Sequence, residues 1–123
     1  MGGFDSCTDI SQGQELLKHG LDASTADFHI TPKVGGYVVS TEKAANSIPS
    51  WSVVALFRLI PTIIQYDGGS CYFGFFQNDG KFGCSYYAPD NSRIMYFDRY
   101  DELVGMLVEV VVWLLDGSFV RKV

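Results

Sequence analysis

Between Asp101 and Leu115 the chain is apolar at nearly every position, and the charged exceptions Glu102, Glu109 and Asp116 recur every seven residues. On a helix that spacing makes one narrow polar stripe, and Leu103 to Leu115 fill the rest of the circumference around the single small gap of Gly105. An ordinary surface helix is apolar over about a third of its girth. This one requires cover on more than one side. Val108 to Val112 is rich in β-branched residues, which weakens the helix locally. Length decides the matter, because about four turns of continuous apolar chain with a polar heptad repeat suit a helix better than a strand.

Upstream the period drops to two. Four strand-like runs, Ile63 to Tyr66, Cys71 to Gln77, Lys81 to Tyr87 and Arg93 to Phe97, are separated by Asp67-Gly68-Gly69, Asn78-Asp79-Gly80 and Pro89-Asp90-Asn91-Ser92. Such short turns join antiparallel neighbours, so the runs form a meander. If Asp79-Gly80 is a two-residue turn, Asn78 pairs with Lys81, Phe76 with Gly83, Phe75 with Cys84, Gly74 with Ser85 and Phe73 with Tyr86. One face then gathers Cys71, Phe73, Phe75, Phe82, Cys84 and Tyr86, a core face. The other gathers Tyr72, Gly74, Phe76, Gly83, Ser85 and Tyr87, where the small residues leave hollows among the aromatics.

The remaining elements are shorter. Ser52 can cap a helix from Val53 to Ile60, bounded by Pro49 and Pro61, with Trp51, Ala55, Leu56, Leu59 and Ile60 as its buried stripe. Ser11 and Gln14 fit a capping box ahead of a helix that Gly20 ends. Asp22 can cap a short turn through Asp27. Phe28 to Ser40 reads as extended, with Tyr37-Val38-Val39 a brief strand, and Thr41 to Ile48 as a polar connector. Asp98 can cap the last helix and Gly117 can end it. The expectation is a single α+β domain over residues 1–123. Residues 49–117 supply a four-stranded antiparallel meander with two main helices, Val53–Ile60 and Asp101–Leu115, packed on one face. Residues 1–48, with a short N-terminal helix, drape over an edge. Because this arrangement leaves part of the closing helix uncovered, a homodimer is expected, with Val104, Val108, Val111 and Leu115 as its seam.

At 123 residues, 47% hydrophobic and 15% aromatic, the chain can build its own core. A net charge of −5 argues against general affinity for phosphate backbones or anionic lipid. The run from Leu103 to Leu115 is too short to span a bilayer and holds Glu109 at its middle. Met1 to Asp5 has neither the basic nor the apolar part of a secretory leader. Cys7, Cys71 and Cys84 are odd in number and lack metal or redox spacing, as expected of free buried thiols in a cytoplasmic protein.

No reaction can be read from the sequence. His19 sits beside a helix-ending glycine, where a cation complements the dipole, and His29 lies in an irregular stretch near Asp27. Neither has companions at metal-ligand spacing. Glu102 and Glu109 are two turns apart, roughly 10 Å along the axis, too far for a carboxylate pair. Gly68-Gly69 precedes a strand and makes no phosphate loop. No cofactor motif is present. Tyr72, Phe76 and Tyr87 are the candidate binding face, a shallow aromatic groove for a partner segment or flat ligand. Tyr72-Phe73-Gly74-Phe75-Phe76 faintly echoes the base-stacking strand of RNA-recognition motifs, but lacks its leading basic-glycine pair.

Three stretches, Gln14–Leu21 with Ser24–Phe28, Ile48–Leu56 running to Pro61, and Asp101–Leu103 through Glu109 to Leu115, resemble a family of small proteins of Bacteroides-type bacteria, their phages and other mobile elements. The resemblance implies a cytoplasmic accessory setting and carries no activity with it. The expected role is a non-enzymatic module that binds another protein. The alternatives are a single-stranded nucleic-acid binder using the Tyr72/Phe76/Tyr87 face, and a small enzyme such as a hydrolase or transferase.

Overall fold

Asp79 and Gly80 both take left-handed backbone conformations, with φ of 57° and 77°. Such a turn twists in the sense the flanking strands need, and it fixes their register. In the computed structural model, which describes residues 6–123, strands β4 (Ile63–Tyr66), β5 (Gly69–Asn78), β6 (Lys81–Tyr87) and β7 (Arg93–Tyr100) form an antiparallel sheet in that order. Phe73 pairs with Tyr86, Phe75 with Cys84, Phe76 with Gly83 and Asn78 with Lys81, as the alternation requires. Met1–Asp5, read above for a leader, lie outside the described residues.

Cys71, Cys84 and Tyr86 face the core, joined by helices α2 (Val53–Leu59) and α3 (Leu103–Asp116). Tyr86 is fully buried; its hydroxyl donates to the Pro61 carbonyl at 2.6 Å and its ring stacks on Trp113 at 5.8 Å between centroids. Phe75 belongs to the same face but lies near its margin, where it meets Phe57 edge-on at 5.9 Å and keeps 43% of its surface exposed.

Helix α3 presents Glu102, Glu109 and Asp116 to solvent, in line with the heptad pattern. The seam expected for a dimer is not available. Val104, Val108, Val111 and Leu115 are 1%, 4%, 0% and 0% exposed within the chain itself. The sheet and α2 cover part of the helix, and helix α1 (Ile10–Lys18) supplies the cover that was expected from a second copy. Along that flank Gln12 comes within 3.9 Å of where a Cβ on Gly105 would stand. Asp98 does not cap α3, because β7 continues through it to Tyr100; Glu102 holds the cap position without a side-chain bond. Gly117 closes the helix, its N–H donating to the Trp113 carbonyl at 3.0 Å. No described helix is long and apolar enough to cross a membrane.

Residues 6–50 build more than an edge strap. Asp9, rather than Ser11, caps α1: its carboxylate accepts from the Gln12 N–H at 2.8 Å, and the Gln12 side chain accepts from the Asp9 N–H at 2.9 Å. Gly20, at φ +100°, ends the helix region as expected. Asp22 caps a 3-10 turn of only Ala23–Thr25. Strands β1 (Phe28–Lys33), β2 (Gly36–Ser40) and β3 (Ile48–Ser50) then form a second, three-stranded antiparallel sheet ordered β2-β1-β3, where the sequence showed one brief strand. Hydrogen bonds tie this layer to the core: Trp51 Nε1 donates to Thr25 Oγ1 at 2.9 Å, the Thr8 N–H to the Trp51 carbonyl at 2.9 Å, and the Ser52 N–H to Asp27 at 2.9 Å.

Candidate interaction face

The face of the four-stranded sheet turned away from α3 is built by alternation. Ile63 pairs with Tyr72, Tyr72 with Tyr87, Gly74 with Ser85, Phe76 with Gly83 and Ser85 with Tyr96, so all of these side chains share one side. The three residues singled out in the sequence, Tyr72, Phe76 and Tyr87, are therefore neighbours. Tyr72 is 52% exposed, while Phe76 and Tyr87 are half-buried.

The hollows expected around them are filled. A Cβ on Gly74 would stand 2.7 Å from Tyr87 Cε2, and one on Gly83 would stand 2.3 Å from Phe76 Cε1. Each ring lies flat in the space its neighbouring glycine leaves. The face is thus a level aromatic platform, and not a groove. Ser85, between the two glycines' positions across the ladder, is completely buried beneath it, and its hydroxyl has no hydrogen-bond partner among the described residues.

Sequence reading missed half of this platform. Tyr96 is 46% exposed, stacks on Phe76 with centroids 6.3 Å apart, and donates its hydroxyl to Asp98 at 2.7 Å. That bond to a carboxylate holds the Tyr96 phenol above its ordinary pKa. The Arg93 guanidinium sits 4.3 Å from the Tyr96 ring centroid and 5.8 Å from that of Tyr87, within cation–π range. Ile63 adds an aliphatic contact that is 48% exposed. The signal was the alternation of Tyr96 with Asp98, but register shifts between β6 and β7 hid which residues it faces.

The histidines and cysteines weighed in the sequence lie away from this face. His29 lies in β1, opposite Ser40 and Pro49, and lines a hollow of about 320 Å³ with Ser24, Lys43 and Ser47. Asp27 does not reach toward it; both carboxylate oxygens are taken by Ser52. His19 does more than cap a helix, since it bridges Glu15 and Asp116. Burial pushes the Cys84 thiol up to about 12 and raises Cys7 as well, and all three cysteines are free and buried. Among the described residues no cluster of three or more His, Cys, Asp or Glu could hold a metal ion.

No protein-family model, no curated protein and no solved structure matches this chain.

Proposed function

We propose that the chain is a non-enzymatic protein-interaction module that docks a protein partner on the outer platform of its four-stranded sheet. One observation carries the reading: Tyr72, Tyr96 and Ile63, each about half exposed, surround two flat-lying rings on a face whose centre holds no acidic side chain. Protein interfaces are enriched in Tyr and Arg and depleted of Lys, Glu and Asp at their centres, and tyrosines supply large contact area at small entropic cost. Tyr72, a half-exposed ring with no cation stacked on it among the described residues, offers a face to an arginine beside apolar residues of a partner segment, and the net charge of −5 favours such a segment. Three free buried thiols support a reducing compartment, and the cytoplasm is part of the proposal. So is the accessory, mobile-element setting that the family resemblance implies.

A displayed random-peptide library tests it. Wild-type protein should enrich peptides with arginine and aromatic residues, and Tyr72→Ala/Tyr96→Ala should lose them while keeping its fold. Enrichment that survives the double substitution overturns the assignment.

The exposed aromatic platform also favours a second reading, stacking of single-stranded nucleic acid. It is the weaker one, because the platform's cations are Arg93, already stacked, and Lys81, paired with Asp101. Oligo-dT and oligo-U titrations at low and moderate salt separate the two. Salt-sensitive binding lost in the same double variant would favour nucleic acid.

A further inference from the structure

The two sheets have four outer strands, and three of them are protected against pairing with another chain. Strand β7 carries Arg93, Asp98 and Arg99, two register shifts against β6, and a left-handed Arg99 at φ 65°. Strand β4 is four residues long, between Pro61 and the left-handed Asp67. Strand β3 is three residues with Pro49 at its centre, and Thr8 is hydrogen-bonded just beyond it. Charge, bulges, proline and shortness are the usual means of blunting a sheet edge.

Strand β2, of five residues, lacks charge, bulge and proline alike. Gly36–Ser40 contains no charge and no proline and runs in unbroken register with β1. Tyr37 is 56% exposed and Val38 44%. We propose that β2 is a self-association edge, which pairs antiparallel with β2 of a second copy to join two three-stranded sheets into one of six strands. This surface is separate from the platform above and does not rest on that reading.

The strand is complementary to itself about a two-fold axis at Val38. Val38 falls opposite Val38, Tyr37 opposite Val39 and Gly36 opposite Ser40, giving aromatic–aliphatic and aliphatic cross-strand pairs. The flanking charges complement as well. Lys33 sits across the hairpin from Gly36, and Glu42 lies two residues beyond Ser40, at the opposite end. The same axis brings Ser40 of the second copy beside Gly36, and so its Glu42 toward Lys33, twice over. Neither residue is in an ion pair within its own chain among the described residues. A charge of −5 per copy opposes association in general, but this edge holds the approach of like charge away from its centre.

Sedimentation velocity of the full chain up to ~100 µM tests the proposal. Wild type should sediment at twice the 13.6 kDa chain mass, and Val38→Lys should weaken the dimer at least about tenfold by opposing two lysines. Lys33→Glu should weaken it too, and Lys33→Glu/Glu42→Lys should restore it, a rescue that a mere folding defect would not show. A wild type that stays monomeric throughout the range overturns the proposal, even if the edge takes up an unrelated extended peptide. A dimer indifferent to both Val38→Lys and the charge swap overturns it equally.

Discussion

His19 and Asp116 lie 97 residues apart in the chain, and the imidazole Nδ1 stands 2.7 Å from the Asp116 carboxylate. The other ring nitrogen is 2.9 Å from Glu15. Both partners are acceptors, so both ring nitrogens donate and the clamp between α1 and the end of α3 is made by imidazolium. The bond to Asp116, then that to Glu15, raises the His19 pKa above its ordinary 6.5. A raised folded value means the folded state holds the proton more tightly than the unfolded chain. The clamp's contribution is therefore complete below pH 6.5 and is lost as pH climbs through the raised value. Urea unfolding should show wild type losing stability over that window, and His19→Gln should flatten this part of the profile.

The platform makes a graded prediction about its glycines. At Gly83 a new Cβ would meet Phe76 and also the Phe97 carbonyl at 3.0 Å, a backbone atom that cannot swing away. At Gly74 the three nearest atoms it would meet all belong to the ring of half-buried Tyr87. Gly83→Ala should cost about 1–3 kcal/mol by overpacking, and Gly74→Ala less. Denaturant titrations give both values, and Tyr87→Ala should relieve the Gly74→Ala penalty while leaving that of Gly83→Ala intact.

The burial of the α3 valine–leucine line predicts a folding effect in place of an assembly effect. Leu115→Ala empties a fully buried site and should destabilise the protein by about 2–5 kcal/mol. The loss should be the same at every protein concentration, and the sedimenting mass should not change. A concentration-dependent loss would return that line to an interface.

Thiol chemistry should be silent in the native protein. Cys7, Cys71 and Cys84 are all buried, and burial raises the pKa of Cys7 and Cys84. Since the thiolate is the reactive form, Ellman's reagent should find no cysteine on mixing and all three after denaturation. Modification of the native chain should proceed only as fast as it opens. A thiol that reacts at once would contradict the packing around it.

The central hairpin was legible because one dipeptide, Asp79-Gly80, fixes both the turn and every pair behind it. The heptad stripe of α3 was legible for the same kind of reason, a strict period. What periodicity cannot report is which other segment covers a face. Helix α1 occupies the side of α3 that the pattern could only mark as needing a neighbour. The small sheet escaped notice because β3 is three residues around a proline and β1 contains Pro32, so neither shows alternation long enough to register. At the platform, Tyr72, Phe76 and Tyr87 followed from the hairpin, while Tyr96 and Arg93 lay behind the β6–β7 irregularity. Whether a glycine leaves a hollow or admits a ring depends on side-chain rotamers, which spacing does not encode.

Helix α3 sets a condition on biogenesis. Helices α1 and α2 and the core face of the meander bury their apolar side chains against residues 103–116, and a ribosome makes that segment after all of them. Until it emerges, Leu16, Leu56 and Tyr86 have their upstream neighbours but lack the helix that completes their burial, so the core cannot close from the N-terminus alone. Completion of the core therefore waits until residue 116 has left the ribosome.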